Sequence, residues 1–259
     1  MIKKEFEKFA DSDILEGMPS ISSLIKGILD NGNNRRIEKI LFDSSKKRSK
    51  SRELSFLKAK SNELGFSIEL VSSEDIDKYT VGNTHGGIIA ICSSRMLPLL
   101  NEENITPDGV YFILEGVEDP YNFGYAIRSL YAAGVDGIIL GHRNWMGAAG
   151  IVARSSAGAS EMMNMYISEP VEAVSKFKNK GYKVICAGIR DSESIFSTDL
   201  SSPLLVVLGG EKRGISRNIL DMADKIIRID YGCEFGGSLS TSAAAAVFGF
   251  EILRFNRQL

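Results

Sequence analysis

Pro203-Leu-Leu-Val-Val-Leu-Gly-Gly-Glu-Lys-Arg-Gly-Ile-Ser216 is the stretch on which the reading of this chain turns. Its first half, through Leu208, is an apolar run of strand length, the pattern of a strand buried on both faces. Gly209 and Gly210 follow at once. Paired glycines leave backbone N–H and C=O groups open to close approach by another chain segment or a ligand. One acid, Glu211, stands at the mouth of the turn. Alone, the stretch allows either an ordinary glycine turn or a ligand loop, and the flanking sequence has to decide.

Working outward, strands and helices alternate. Gly109–Leu114 is a second buried-type strand, and Glu115–Asn122 carries turn chemistry. A helix is predicted from Phe123 to Ala133, with Ile127, Leu130 and Tyr131 on its apolar face and Gly134 as its stop. Further strands are predicted at Gly137–Leu140, Met162–Ile167, Lys183–Ala187 and Lys225–Ile229, and helices at Val171–Lys178, Ser216–Asp224 and Thr241–Arg257. Such alternation argues a parallel sheet with helices on both faces. Ligands bind such sheets beyond the carboxyl ends of the strands. Three loops qualify, after Leu114, Leu208 and Ile229. They carry Asn122 and Arg128, then Gly209 to Glu211, then Gly232 to Ser242. Neither an ATP P-loop nor a Gly-x-Gly-x-x-Gly fingerprint follows a strand, which disfavours both standard nucleotide folds.

The N-terminal third reads as a small α/β unit of about 100 residues. Helices are predicted at Ile21–Leu29, started by Pro19 and Ser20, at Arg52–Leu64 and at Glu74–Tyr79, and strands at Ile37–Phe42, Phe66–Val71 and Ile88–Cys92. Asn101–Asp108, polar and carrying Pro107, is the linker candidate, giving domains 1–105 and 106–259. Between Lys46 and Lys60 stand Lys46, Lys47, Arg48, Lys50, Arg52, Lys58 and Lys60 against the single acid Glu53. That cluster is either a phosphate-binding patch or a solvated helix start. His85, just before Gly86-Gly87, is read as a turn residue whose ring hydrogen-bonds the backbone rather than as a catalyst.

At 44% hydrophobic and 25% charged residues, the composition is that of a globular protein, and the net charge of −2 rules out a global basic field. No apolar run reaches the roughly 18 residues of a membrane span. Met1–Lys8 lacks the apolar core of a secretory leader. Cys92, Cys186 and Cys233, with two histidines, show no metal-ligand spacing, so no metal is expected and a reducing cytoplasm is the expected home.

Three motifs, in order, resemble the SpoU (TrmH-like) branch of the SPOUT RNA methyltransferases. Asp119-Pro-Tyr-Asn-Phe-Gly-Tyr-Ala-Ile-Arg128 is similar to the first, Leu208-Gly-Gly-Glu-Lys-Arg-Gly214 to the second, and Ile229 through Ser238-Leu-Ser-Thr-Ser-Ala-Ala244 to the third. Arg154-Ser-Ser-Ala-Gly-Ala159 resembles a run the family carries between the first two, and the N-terminal third resembles its small substrate-binding domain more loosely. The resemblance implies methyl transfer from S-adenosylmethionine to a ribose 2′-hydroxyl of ribosomal or transfer RNA. It further implies a parallel α/β domain closed by a C-terminal deep trefoil knot, and a homodimer formed through that domain. Cofactor contacts would come from Leu208, Gly209, Gly210, Ile229, Ser238 and Leu239. Arg128, Asn122, Glu211 and Ser240 would form the catalytic group, with Asn122 and Glu211 bracing Arg128 and the loops. Arg128 would contact an RNA phosphate, and Lys46, Lys47 and Arg48 of the basic cluster are the further candidates for RNA contact.

The third motif departs from the family pattern. Ile229-Asp-Tyr231 stands where Ile-Pro-Met is usual, and Ser240 replaces an asparagine. The departure keeps an alternative open, a knotted RNA-binding protein without catalysis. A small-molecule α/β enzyme using Gly209-Gly210 as an anion loop is a third reading.

Overall fold

The structure, a computed structural model, describes residues 13–80, 85–142 and 148–257. The leader reading at Met1–Lys8 therefore lies outside the described residues. The chain begins with β1 (Asp13–Glu16), α1 (Gly17–Asp30), β2 (Ile37–Asp43), α2 (Ser51–Leu64), β3 (Ser67–Val71), α3 (Ser73–Asp77) and β4 (Ile88–Cys92). There follow β5 (Val110–Glu115), α4 (Pro120–Ala132), β6 (Gly137–Leu140), α5 (Ala149–Ser155), α6 (Ala159–Met162), β7 (Met165–Ile167) and α7 (Pro170–Asn179). The last elements are β8 (Lys183–Ala187), β9 (Glu193–Ser194), β10 (Leu204–Gly209), α8 (Arg217–Leu220), β11 (Lys225–Arg228) and α9 (Thr241–Asn256). Two compact units result. One takes the described residues of Met1–Met96 and Trp145–Met162, the other those of Leu97–Asn144 and Met163–Leu259.

The first unit holds a mixed sheet in the order β1-β4-β2-β3. Its β4 runs antiparallel to β1 and β2, while β2 and β3 are parallel. Ile21, Leu24 and Ile25 of α1 and Leu54 and Leu57 of α2 bury against Ile40, Phe42, Ile88 and Ala90, and Ala153 of α5 joins the same core. Segment α5–α6 is fixed there by polar contacts too. The buried Arg35 pairs with Asp13 and, at 3.1 Å, with Glu161 of α6. Asn33 Nδ2 donates to the same Glu161 carboxylate at 3.0 Å. Burial opposes the arginine's charge, but Glu161 and Asp13 outweigh it and hold its pKa above the ordinary value.

The second unit is a seven-stranded, wholly parallel sheet in the order β7-β6-β5-β10-β8-β11-β9. Leu205 and Val207 of β10 pack with Ala173, Val174 and Phe177 of α7. Side chains alternate across a strand, so the equally buried Leu204, Val206 and Leu208 serve the other face, where α9 lies against β10 and α4. The parallel, doubly covered sheet is the architecture expected from the sequence. Among the described residues no helix is long and apolar enough to cross a membrane.

Local differences have local causes. Helix α1 starts at Gly17 rather than Ile21, with Pro19 inside its first turn, where a missing N–H has no helical partner to lose. The helix expected over Ser216–Asp224 shortens to α8 because Asp224 is drawn onto β8. Its N–H donates to the Val184 carbonyl at 2.9 Å, and its carboxylate accepts the Val184 N–H at 2.8 Å. The polar Asn101–Asp108 stretch belongs to the second unit, where Ile105 is buried beside Leu100.

Candidate active site

Strands β5 and β10 are parallel neighbours with Leu114 opposite Leu208 and Glu115 opposite Gly209, so their C-terminal ends release two loops side by side. Close packing defines the turn. Gly210 N–H donates to the Glu115 carbonyl at 2.6 Å, and Gly214 N–H closes the loop on the Gly210 carbonyl at 3.1 Å. A Cβ on Gly210 would overlap the Gly116 carbonyl, and one on Gly209 would overlap the Gly214 backbone. No other residue fits at either position. The Glu115 carboxylate accepts the Ser216 N–H at 3.1 Å. Lys212 pairs with Glu118, and its hydrogen bond holds the Glu118 carboxyl below the usual range.

Helix α4 begins with Asp119 accepting the Tyr121 N–H at 2.9 Å and Pro120 in the first helical position, which sets Asn122 in the first turn. Asn122 Nδ2 donates to Glu211 Oε1 at 2.9 Å. From the third loop, Ser242 Oγ donates to Asn122 Oδ1 at 3.2 Å, and Ser240 Oγ lies 3.0 Å from Ser242 Oγ. Ser240 also caps α9, accepting the Ala243 N–H at 3.2 Å. Thr241 Oγ1 fastens the same helix start to β10 by donating to the Gly209 carbonyl at 2.9 Å. Three of the four predicted catalytic residues are thus joined through Ser242, which the sequence reading placed in the third loop but not in the catalytic group.

Arg128 stands apart. It is exposed on α4 and makes no hydrogen bond or ion pair among the described residues. Asn122 and Glu211 brace each other instead of Arg128, because helical spacing puts residues 122 and 128 on different faces of α4.

A cavity of about 770 Å³ opens beyond the strand ends, lined by Leu208, Gly209, Gly210, Glu211, Ile229, Ser238 and Leu239. All six residues predicted to hold the cofactor line it. Its wall also includes Gly188 to Asp191, Arg217, Asp221 and Phe248, which the sequence reading missed. Gly188 follows β8, so the strand-end rule that picked the other loops reaches this one too. The third loop is largely exposed. Its entry is held at Asp230, whose carboxyl is lowered by a Ser194 hydrogen bond and by Arg228, with Arg228 Nε donating at 2.7 Å. Tyr231 Oη accepts the Leu239 N–H at 3.2 Å, and its ring meets Phe235 edge-on at 5.8 Å.

In the first unit, Lys47 and Arg48 are exposed and Lys46 half-buried, 4.0 Å from Asp43. Asp43 caps the turn that carries them, accepting the Ser45 N–H at 2.9 Å. His85 is buried, and its Nδ1 accepts the Gly87 N–H at 3.0 Å, which is the turn role expected of it.

Residues 109–250 match the SpoU rRNA methylase family, and residues 14–98 match the RNA 2′-O ribose methyltransferase substrate-binding family. The 23S rRNA (guanosine-2′-O-)-methyltransferase RlmB of Shewanella oneidensis is 27% identical over 251 residues, covering 95% of this chain and 98% of the relative. The crystal structure of an RNA 2′-O ribose methyltransferase superposes with a TM-score of 0.77 at 19% identity, covering 100% of this chain and 96% of that one. An AdoMet-bound rRNA methyltransferase from Sinorhizobium meliloti gives a TM-score of 0.76 at 21% identity, covering 97% and 90% of the two chains. At those identities the two structures establish a shared fold. Matched along its catalytic segment, the chain belongs to the SpoU rRNA methylase family.

Proposed function

We propose that this protein transfers a methyl group from S-adenosylmethionine to a ribose 2′-hydroxyl of ribosomal or transfer RNA. The observation that carries the reading is the meeting of the second and third loops on one cavity, beside the hydrogen-bonded group Glu211–Asn122–Ser242–Ser240. Likeness to the Shewanella enzyme over nearly its full length favours ribosomal RNA.

The residues present fit that cofactor. The glycine turn presents backbone at Gly209 and Gly210, Ile229 and Leu239 supply aliphatic wall, and the volume is ample for a ligand of nucleoside size. When bound, S-adenosylmethionine supplies an already activated methyl, so the protein's task is largely alignment. Arg128, exposed and unpaired among the described residues, suits an RNA phosphate and stabilisation of the developing alkoxide; a guanidinium keeps its protons too firmly for a simple base. Lys46, Lys47 and Arg48 are assigned to the RNA backbone. On this reading the first unit holds the RNA and the second performs the transfer, with a trefoil-knotted C-terminal segment and a cytoplasmic site of action. Pairing of two copies is inferred through α4 and α9, which expose Tyr125 and Phe250 at 48% and 49%.

The test is purified protein with tritiated S-adenosylmethionine and ribosomal RNA from a strain lacking the gene. Methyl incorporation at a ribose missing its methyl in that strain is the expected result. Arg128→Ala should lower turnover by about 100-fold with cofactor affinity by calorimetry unchanged; unaltered turnover would remove Arg128 from the site. A chain that binds RNA but not S-adenosylmethionine would instead be the non-catalytic binder.

A further inference from the structure

Ser240, which stands where the resemblance leads one to expect asparagine, sits in a hydrogen-bond chain whose direction chemistry fixes. The Glu211 carboxylate accepts, so the group facing it at 2.9 Å must be the amide nitrogen of Asn122. The amide oxygen then faces Ser242 and can only accept, so Ser242 spends its single proton there, at 3.2 Å. Between Ser242 and Ser240, 3.0 Å apart, the proton must consequently come from Ser240. Ser240 has also accepted the Ala243 N–H. A hydroxyl has one proton and two lone pairs. What remains on Ser240 Oγ is one lone pair and no donor.

We propose that Ser240 Oγ accepts a hydrogen bond from the ribose 2′-hydroxyl of the RNA, and that Ser242 is the positioning residue that keeps Ser240 an acceptor. The inference rests on the methyl-transfer reading and adds a polarity to its acceptor side. An asparagine amide at position 240 could meet a ligand with either donor or acceptor; this serine offers an acceptor only. Holding the hydroxyl hydrogen on Ser240 leaves an oxygen lone pair free to face the methyl. In the transfer that pair forms the O–C bond, the S–C bonding pair passes to sulfur, and the released proton goes to water. Ser240 and Ser242 keep their own protons throughout. The Ser242 hydroxyl is therefore required even though nothing places it against the substrate.

Ser242→Ala is the decisive variant, because it removes the hydroxyl that compels Ser240 to donate inward. With the wild-type substrate RNA, kcat should fall about tenfold, the loss expected for one hydrogen bond realised in the transition state. The KM for RNA, the calorimetric affinity for S-adenosylmethionine and the melting temperature should stay near wild type. Ser242→Thr keeps a hydroxyl and should restore kcat to within threefold. Wild-type kcat in Ser242→Ala overturns the proposal. So does a loss of kcat matched by loss of cofactor affinity or of melting temperature, or a failure of threonine to rescue. Should the alanine variant not fold, the threonine variant carries the test alone: it must fold and turn over within threefold of wild type, and a folded but slow threonine variant refutes the role. A wild-type protein that methylates no RNA would instead bring down the function on which the proposal depends.

Discussion

The loop after β10 and the loop after β11 line the same cavity and are built in opposite ways. The first is held by its own backbone, through Gly210 bonded to Glu115 at 2.6 Å and closed by Gly214. The second is exposed from Tyr231 to Leu239 and held by side chains, with Tyr231 reaching back to the Leu239 N–H. Backbone packing at van der Waals limits leaves no slack for substitution, whereas a loop pinned by one phenol and a ring contact can exchange residues at small cost. The residues that depart from the resembled pattern, Asp230, Tyr231 and Ser240, lie in or beside the third loop, and none lies in the glycine turn.

The largest effect should come from breaking the rigid loop. Gly210→Ala puts a methyl on the Gly116 carbonyl and forces the strand ends apart. Overpacking of this kind costs about 1–3 kcal/mol, so a lowered melting temperature and cofactor affinity reduced by about 100-fold are expected from calorimetry. Near-normal affinity would mean that the turn yields after all. The third loop should respond more mildly. Tyr231→Phe removes one neutral hydrogen bond, worth about 1 kcal/mol, and should weaken cofactor binding about fivefold without moving the melting temperature. An effect as large as that of Gly210→Ala would erase the contrast between the loops. The smallest effect should be a change of labelling rate. Cys233 is exposed in the third loop, whereas Cys92 and Cys186 are buried and their thiols pushed up to about 12 by desolvation. At pH 8 only on the order of one in 10,000 such buried thiols is ionised, so native protein should react at Cys233 alone, more slowly when the cofactor is present, and at all three when denatured. Mass spectrometry of alkylated peptides reads this directly.

Much of the sheet was legible because β5, β10 and β8 are continuous apolar runs bounded by glycine or by polar turns, and the strand-end rule led from them to the ligand loops. Short elements were not. β1 and β9 carry too few residues for a period, and their pairing is set by long-range partners, Cys92 for Asp13 and Ile227 for Glu193. In the site, residue identity pointed to Asn122, Glu211 and Ser240 but could not show that Ser242 joins them, since that link depends on α9 starting where Thr241 meets Gly209. Helix phase likewise separated Arg128 from the pair expected to brace it.

The α5–α6 segment has a consequence for dissection of the gene. Although it falls within the stretch matched to the methylase family, it completes the hydrophobic core around Ala153 and the ion pairs of Arg35 in the first unit. A fragment ending at Met96 would lose Glu161 and leave Arg35, wholly inaccessible in the intact chain, with Asp13 as its remaining carboxylate. Stripping one partner from a buried ion cluster destabilises by about 3–5 kcal/mol, much of the stability a small domain has. The first unit is built from two separate stretches of the sequence, so domain swaps with relatives must carry residues 148–162 along with the N-terminal module.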